Sequence, residues 1–461
     1  MPTTRSYVER LQVQLDAGNS TEHSHRPALA EYIASFDARV VATNEPRRVE
    51  AGAPDYSVGV RRGHGLLLIG KIEAKDVGAD LDAIHADSER LTPRTRDGAQ
   101  LRRYRNAFEN LLLTDYIDFR WYRRGEQRQN ARLGEVVHGR IETADAHVAA
   151  VEELLSNFLA TAPLQIHTAR TLAERMARLT DLMREVLLAS IRAGTVSAET
   201  SALQQAFKEV LVSDLTDETF ADMFCQTIAY GLFAARVRHP ETGPFQRLGA
   251  AAEIPRSNPF LRKLFSHIAR LDFEDEPYAG IVEDLVQLLA DTDIADVLHD
   301  FGAQTRHDPI VHFYETFLGE YNPRLRDVRG VYYTPMPVVS YIVRSVDRLL
   351  RGRFHVRDGL ADTSTAGGGE DRVIVLDPAT GTGTFLYEVI NIVRQRMGSK
   401  GMTGVWPSYV KGHLLPRLFG FEIMMAPNER ERAGCGRCTG AEKEDQDLHR
   451  RASPRLLHGR R

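Results

Sequence analysis

The run VIVLDPATGTGTFL at residues 373–386 constrains the chain most. A β-branched apolar strand ends in Asp377, a turn carries Gly381 and Gly383, and a helix is expected from about Thr384. Strand, acid, glycine turn and helix in that order belong to an open α/β sheet, whose ligands bind beyond the carboxyl ends of the strands. The glycines let the backbone come close to a ligand, and Asp377 can accept hydrogen bonds from an ammonium or hydroxyl group. A dinucleotide fingerprint requires a third glycine where Leu386 stands, and a phosphate-binding P-loop requires Gly-Lys-Ser/Thr after the turn. Neither is present.

Upstream, GVYYTPMPVV spans Gly330 to Val339, and GFEI follows near residue 420. In this order the three stretches resemble the cofactor motifs of the N6-adenine DNA methyltransferases. The resemblance implies a partial Rossmann-like domain that binds S-adenosylmethionine through Asp377, Pro378, Ala379, Gly381 and Gly383. It places Tyr333, Thr334 and Pro335 near the methionine end and gives Glu422 the ribose hydroxyls. Packing at a helix entry is the alternative for Tyr332 and Tyr333, with the prolines setting the turn.

Nearer the N-terminus, PDYSVGV and LLLIGKIEAK flank Arg62-Gly63-His64-Gly65, a hairpin pattern. Residues two apart share a strand face, so Glu73 and Lys75 project together, while Ile72 and Ala74 turn inward. With Asp55 on the neighbouring strand, two carboxylates could hold Mg2+ and activate water for attack on a phosphodiester, while Lys75 could orient that water or neutralise charge developing on the phosphate. Alternating charge on an exposed strand is the plainer explanation of the same residues.

This spacing resembles the PD-(D/E)xK nucleases, which implies Asp55 and Glu73 as metal ligands and Lys75 as the catalytic cation. Gln100 and Tyr104 are similar to the QxxxY element of some members, and Glu22 stands where many carry an acid on the first helix. The following LLLTDYIDFRWYRRG extends the similarity to the N-terminal nuclease of single-chain restriction-modification enzymes. Double-stranded DNA is then the implied partner. Arg90, Arg94, Arg96, Arg102, Arg103 and Arg105 are candidates for phosphate contacts, or else a solvated helix face.

Between these regions Leu172, Met176, Leu179, Met183, Val186 and Ser190 recur at steps of four and three, which marks one buried helical face. A further helix is expected near Thr216, with acids in its first turn. A loop, DGLADTSTAGGGED, separates a helix beginning near Pro337 from the strand at Val373 to Leu376. The expected fold class is a multidomain α/β chain. It comprises a mixed-sheet nuclease domain (1–135), an all-helical spacer (136–325), the N-terminal part of a methyltransferase domain (326–427) and a disordered tail (428–461).

Net charge is only −4, so overall charge gives no argument for nucleic acid. The longest apolar runs fall short of the roughly 18 residues of a membrane-spanning helix. Three cysteines and no apolar leader lead us to expect a reducing cytoplasm.

Composition changes abruptly at Pro427: beyond it there is no aromatic, Ile, Val or Met residue. Such a segment cannot build a core. Cys435 and Cys438, with His449 and His458, match no common zinc spacing. N6-adenine methyltransferases flip the base and stack it at an Asn/Asp/Ser-Pro-Pro-aromatic motif, and this chain contains no Pro-Pro pair. The expectation is a methyltransferase half interrupted by truncation or frameshift near Pro427 and defective in methylation. The alternatives are a residual nuclease or an inactive remnant that binds DNA or S-adenosylmethionine.

Overall fold

The computed structural model describes residues 4–17, 22–44, 54–62, 65–161, 166–210, 215–239, 245–253, 259–270, 273, 275–302, 309–321, 334–366, 369–381 and 383–420. Tyr332, Tyr333, Glu422, Cys435, Cys438, His449, His458 and the tail lie outside these residues.

The chain opens with two helices, α1 (Thr4–Asp16) and α2 (Glu22–Ala34). A six-stranded sheet follows: β1 (Val40–Asn44), β2 (Tyr56–Arg62), β3 (Gly65–Ala74), β4 (Asn110–Thr114), β5 (Asp118–Arg123) and β6 (Glu126–Arg132), ordered in space as in sequence. β2 and β3 pair antiparallel with Arg62 opposite Gly65, as the hairpin pattern predicts. The β3–β4 pair is parallel, and its crossover carries α3 (Leu81–Ser88) and α4 (Arg96–Ala107). Parallel neighbours require such a connection, and their strands are covered on both faces. Accordingly, Leu111, Leu112 and Leu113 are all fully buried.

One sheet face, with Tyr56, Val58, Ile72, Ala74, Leu112 and Phe119, shares a core with Tyr7, Leu11, Leu29 and Ile33 of α1 and α2. A small hairpin, β7 (Gly134–Val137) and β8 (Arg140–Thr143), leads to α5 (Asp145–Leu159). α5 buries Val151, Leu154, Leu155 and Phe158 in that same core. On the opposite face Leu111, Leu113 and Tyr122 join Leu101 and Tyr104 of α4 in a second core, continuous with the helices beyond.

Those helices are α6 (Ala169–Ala193), α7 (Ala198–Val210), α8 (Asp217–Arg238), α9 (Arg247–Glu253), α10 (Pro259–Ile268), α11 (Ala279–Ala290), α12 (Ile294–Gly302) and α13 (Pro309–Tyr321). The predicted face of α6 is buried from Leu172 to Ser190. Thr216 caps α8 by accepting the Thr219 N–H, with Asp217 and Glu218 in the first turn. α8 is buried on every side from Phe220 to Ala235, the signature of a central helix packed all round.

The last part comprises α14 (Met336–Gly352), β9 (Val375–Asp377), α15 (Thr384–Ser399) and β10 (Leu418–Gly420). α14 and α15 join through Val339, Val343, Leu386, Val389 and Val393. β9 and β10 pair in parallel, Gly420 opposite Asp377. The strand expected to be buried over Val373–Leu376 is shorter and more exposed than its sequence suggests: Ile374 is 58% and Leu376 52% exposed. Among the described residues the sheet here has two strands, and Ile374 and Leu376 stand on a face that no described element covers.

Candidate functional site

The edge of the six-stranded sheet where β2 begins and β3 ends gathers the nuclease-like residues. Asp55 precedes β2 and is 1% exposed, and its Oδ2 accepts the Ala74 backbone N–H at 2.7 Å. Tyr56 pairs with Ile72, which sets Asp55 beside Glu73 across the two strands. Glu73 is also 1% exposed, which removes the reading of β3 as an exposed strand with alternating charge.

Lys75 follows β3, tied to β4 by its N–H to the Thr114 carbonyl at 2.8 Å. Its Nζ lies 3.0 Å from Glu73 Oε1, 2.7 Å from Asp97 Oδ1 and 2.8 Å from Gln100 Oε1. Burial depresses the lysine pKa, but Glu73 and Asp97 outweigh it and hold the ammonium above its ordinary value. These neighbours favour the charged form of Lys75.

Gln100 donates from Nε2 to the Tyr104 hydroxyl at 3.0 Å, so both residues of the QxxxY element reach the site. Burial, reinforced by Glu73, pushes the Tyr104 phenol well up and keeps it protonated. α4 presents this pair because its start is fixed. Asp87 accepts the N–H groups of Arg94 and Thr95, and Thr95 caps the helix by accepting the Gly98 N–H. Gly98 must be glycine, since a Cβ there would collide with the Asp87 carboxylate.

Two contributors were missed in the sequence. Arg26, on α2, pairs through Nη2 with Asp55 Oδ1, and its Nη1 donates to Asn44 Oδ1 at 3.2 Å. Tyr56 secures the same turn of helix, its hydroxyl donating to the Arg26 carbonyl at 3.1 Å. Asp97 is the other. No spacing rule links Arg26 to Asp55, because the contact depends on how α2 lies across β2. Glu22 opens α2, one turn before Arg26.

Of the six candidate arginines, Arg105 is committed to structure. It bonds to the Gly125 carbonyl at 2.9 Å and 2.6 Å and to Ser88 Oγ at 2.8 Å. Arg102 bonds to the Leu91 carbonyl at 2.5 Å, and Arg103 lies 3.6 Å from Glu185 on α6. Arg90, Arg94 and Arg96 are exposed.

The donor set of Asp55 and Glu73 fits a small hard cation. Magnesium takes oxygen ligands, commonly one or two carboxylates, and fills the remaining positions with water and substrate phosphate. Among the described residues no three His, Cys, Asp or Glu side chains are grouped to hold a metal ion.

At the second site Asp377 Oδ1 accepts the Ala379 N–H at 3.1 Å, while its buried Oδ2 has no hydrogen-bond partner. Buried carboxylate oxygens are ordinarily satisfied, so this atom suits a ligand donor. Gly381 and Gly383 take positive φ, at 55° and 76°, and Gly383 is the N-cap of α15. A Cβ on Gly381 would approach nothing nearer than the Ala379 carbonyl at 4.0 Å, so space lies above the turn. Thr380 Oγ1 donates to the Asp377 carbonyl at 3.1 Å and braces the loop. Thr334 and Pro335 stand at the start of α14, where Pro335 accepts the Val338 N–H at 2.8 Å. This open glycine turn lies at the carboxyl end of a parallel strand pair, the place where open α/β sheets bind ligands. S-adenosylmethionine fits it through its ammonium and hydroxyl donors.

Residues 305–409 match the N-6 DNA Methylase family. At family level this part of the chain is therefore of the DNA adenine methyltransferase type. No curated protein matches the chain. Among solved structures, a cryoEM DrdV–DNA complex is 20% identical, with 93% of this chain and 37% of that chain covered and a TM-score of 0.33. A nuclease-deletion mutant of the Type ISP restriction-modification enzyme LlaGI, in complex with a DNA substrate mimic, is 16% identical. That match covers 61% of this chain and 20% of that chain, at a TM-score of 0.37. The ATP-dependent Type ISP enzyme LlaBIII bound to DNA is 16% identical over 60% of this chain and 17% of that chain, also at 0.37. The chain thus spans well under half of each, and at these scores the likeness fixes neither activity nor domain arrangement. No described helix is long and apolar enough to cross a membrane.

Proposed function

We propose that the chain is a DNA restriction-modification protein. Its N-terminal sheet carries a magnesium-dependent endonuclease for double-stranded DNA, and its C-terminal part binds S-adenosylmethionine. The observation that carries the nuclease half is the meeting of Lys75 with Glu73 and Gln100 at the edge where Asp55 is buried. The family match over residues 305–409 and the unsatisfied Asp377 Oδ2 support the methyltransferase half.

Asp55 and Glu73 would hold the cation, which when bound supplies Lewis acidity and a more acidic water. Lys75, charged and clamped by Gln100, stabilises the negative charge that develops on the phosphate. Tyr104 remains a neutral phenol that holds Gln100 in place. Asp377 takes the ligand's donors, and the turn at Gly381 and Gly383 gives it backbone room. Because the 461 residues contain no Pro-Pro pair, adenine methylation by this chain alone is not part of the proposal.

Incubation of the purified protein with linear double-stranded DNA tests the nuclease half. Cleavage is expected with Mg2+ and not with a chelator. Cleavage that survives chelation, or none with Mg2+ or Mn2+ over a range of DNA sequences, contradicts the proposal.

A further inference from the structure

The Arg26–Asp55 pair does more than join α2 to the sheet. Arg26 is 4% and Asp55 1% exposed, so a full positive charge is fixed against a carboxylate proposed to bind a divalent cation. Both carboxylate oxygens are engaged: Oδ1 by the guanidinium and Oδ2 by the Ala74 N–H. On the far side Lys75 similarly lies against Glu73. Two buried carboxylates side by side repel each other strongly when nothing neutralises them.

We infer that Arg26 is a positioning residue that stands in for the metal. It neutralises Asp55 in the metal-free protein, holds it in place, and competes with the divalent cation for Oδ1, so that it sets metal affinity. This rests on the reading of Asp55 and Glu73 as metal ligands. A guanidinium anchored at both ends suits the task, because Asn44 holds Nη1 while Nη2 reaches Asp55. A planar guanidinium held by two different partners keeps a geometry that a mobile ammonium would lose.

The consequence runs opposite to that of an ordinary structural arginine. Loss of a purely structural contact loosens the site and weakens metal binding. Loss of a competing buried charge strengthens it, here by about tenfold or more, even as the metal-free fold becomes less stable.

The test is Mn2+ binding, followed by electron paramagnetic resonance, to the full-length wild type, Arg26→Gln, Arg26→Lys and Asp55→Asn. Arg26→Gln is expected to bind Mn2+ about tenfold more tightly, and Arg26→Lys to stay closer to wild type because it retains a cation. Unchanged or weaker binding by Arg26→Gln overturns the inference and leaves the metal site standing. A wild type that binds no Mn2+, or binds it equally well as Asp55→Asn, removes the metal-site reading itself. Should Arg26→Gln fail to fold, the wild type decides through its arginine side-chain nitrogen resonances, with Arg26→Lys providing the assignment. Addition of Mg2+ must shift or broaden the Arg26 signals, and signals that stay put contradict the competition.

Discussion

Lys75 Nζ lies 2.8 Å from Gln100 Oε1, across 25 residues of chain and between a strand end and a helix. Gln100 in turn donates to Tyr104, so one face of α4 clamps the cation proposed for catalysis. Lys75→Ala is expected to lower the rate of DNA cleavage by about 10²–10³. Gln100→Ala, which leaves the charge and its contacts with Glu73 and Asp97 but removes one of its three partners, should cost about tenfold. Single-turnover rates with saturating Mg2+ check both, and a Gln100→Ala loss equal to that of Lys75→Ala contradicts the clamp.

Asp377 Oδ2 is a buried atom without a hydrogen-bond partner at the turn proposed to hold the cofactor. A hydrogen bond to a charged group contributes about 1.5–3 kcal/mol, so Asp377→Ala should weaken S-adenosylmethionine binding at least tenfold. Calorimetry reads the affinity, and circular dichroism should show the fold unchanged. Affinity within twofold of wild type would remove Asp377 from the site.

The pair Lys71–Asp284 joins β3 to α11, with Nζ and Oδ1 2.6 Å apart and both side chains largely buried. Asp284→Ala should destabilise the protein by about 3–5 kcal/mol, because it leaves a buried lysine without its counter-charge. Replacing both partners, as Lys71→Met with Asp284→Leu, should recover most of that loss. Denaturant unfolding measures the difference, and equal losses in the single and double variants contradict this account.

Asp347 on α14 accepts two bonds from Arg396, at 2.7 Å and 2.5 Å, and the Leu360 N–H at 3.0 Å. Burial raises its pKa, but these partners outweigh burial and hold the carboxyl below the usual range. Its folded value being the lower one, its stabilisation is present above about pH 4 and fades as pH falls through the folded value. The part spanning residues 334–420 should therefore lose thermal stability in acid, and Asp347→Asn should flatten that slope. An unchanged slope in the variant points to other groups.

Elements with one dominant cause were readable in advance. Alternating apolar steps gave the buried face of α6, Thr216 with two following acids gave the start of α8, and Gly63-His64 between two apolar runs gave the β2–β3 pairing. That Glu73 and Lys75 come together while Ile72 and Ala74 turn into the core was also readable from spacing. What periodicity could not supply was burial on the second face of β3, which arises because β4 joins it in parallel and α4 covers it. Arg26 and Asp97 were invisible for a similar reason. Their partners lie on other elements, and nothing local distinguishes such residues from surface charges. At β9 the apolar letters Ile374 and Leu376 suggested burial that two strands cannot provide.

The central claim is that Asp55, Glu73 and Lys75 form a metal-dependent DNA-cleaving site. Glu73→Gln tests it most directly, since it keeps shape and removes the charge a metal requires. With Mg2+ and double-stranded DNA under single-turnover conditions, the cleavage rate should fall at least about 100-fold while circular dichroism still shows a folded protein. A folded Glu73→Gln protein that cleaves within twofold of wild type would contradict the claim.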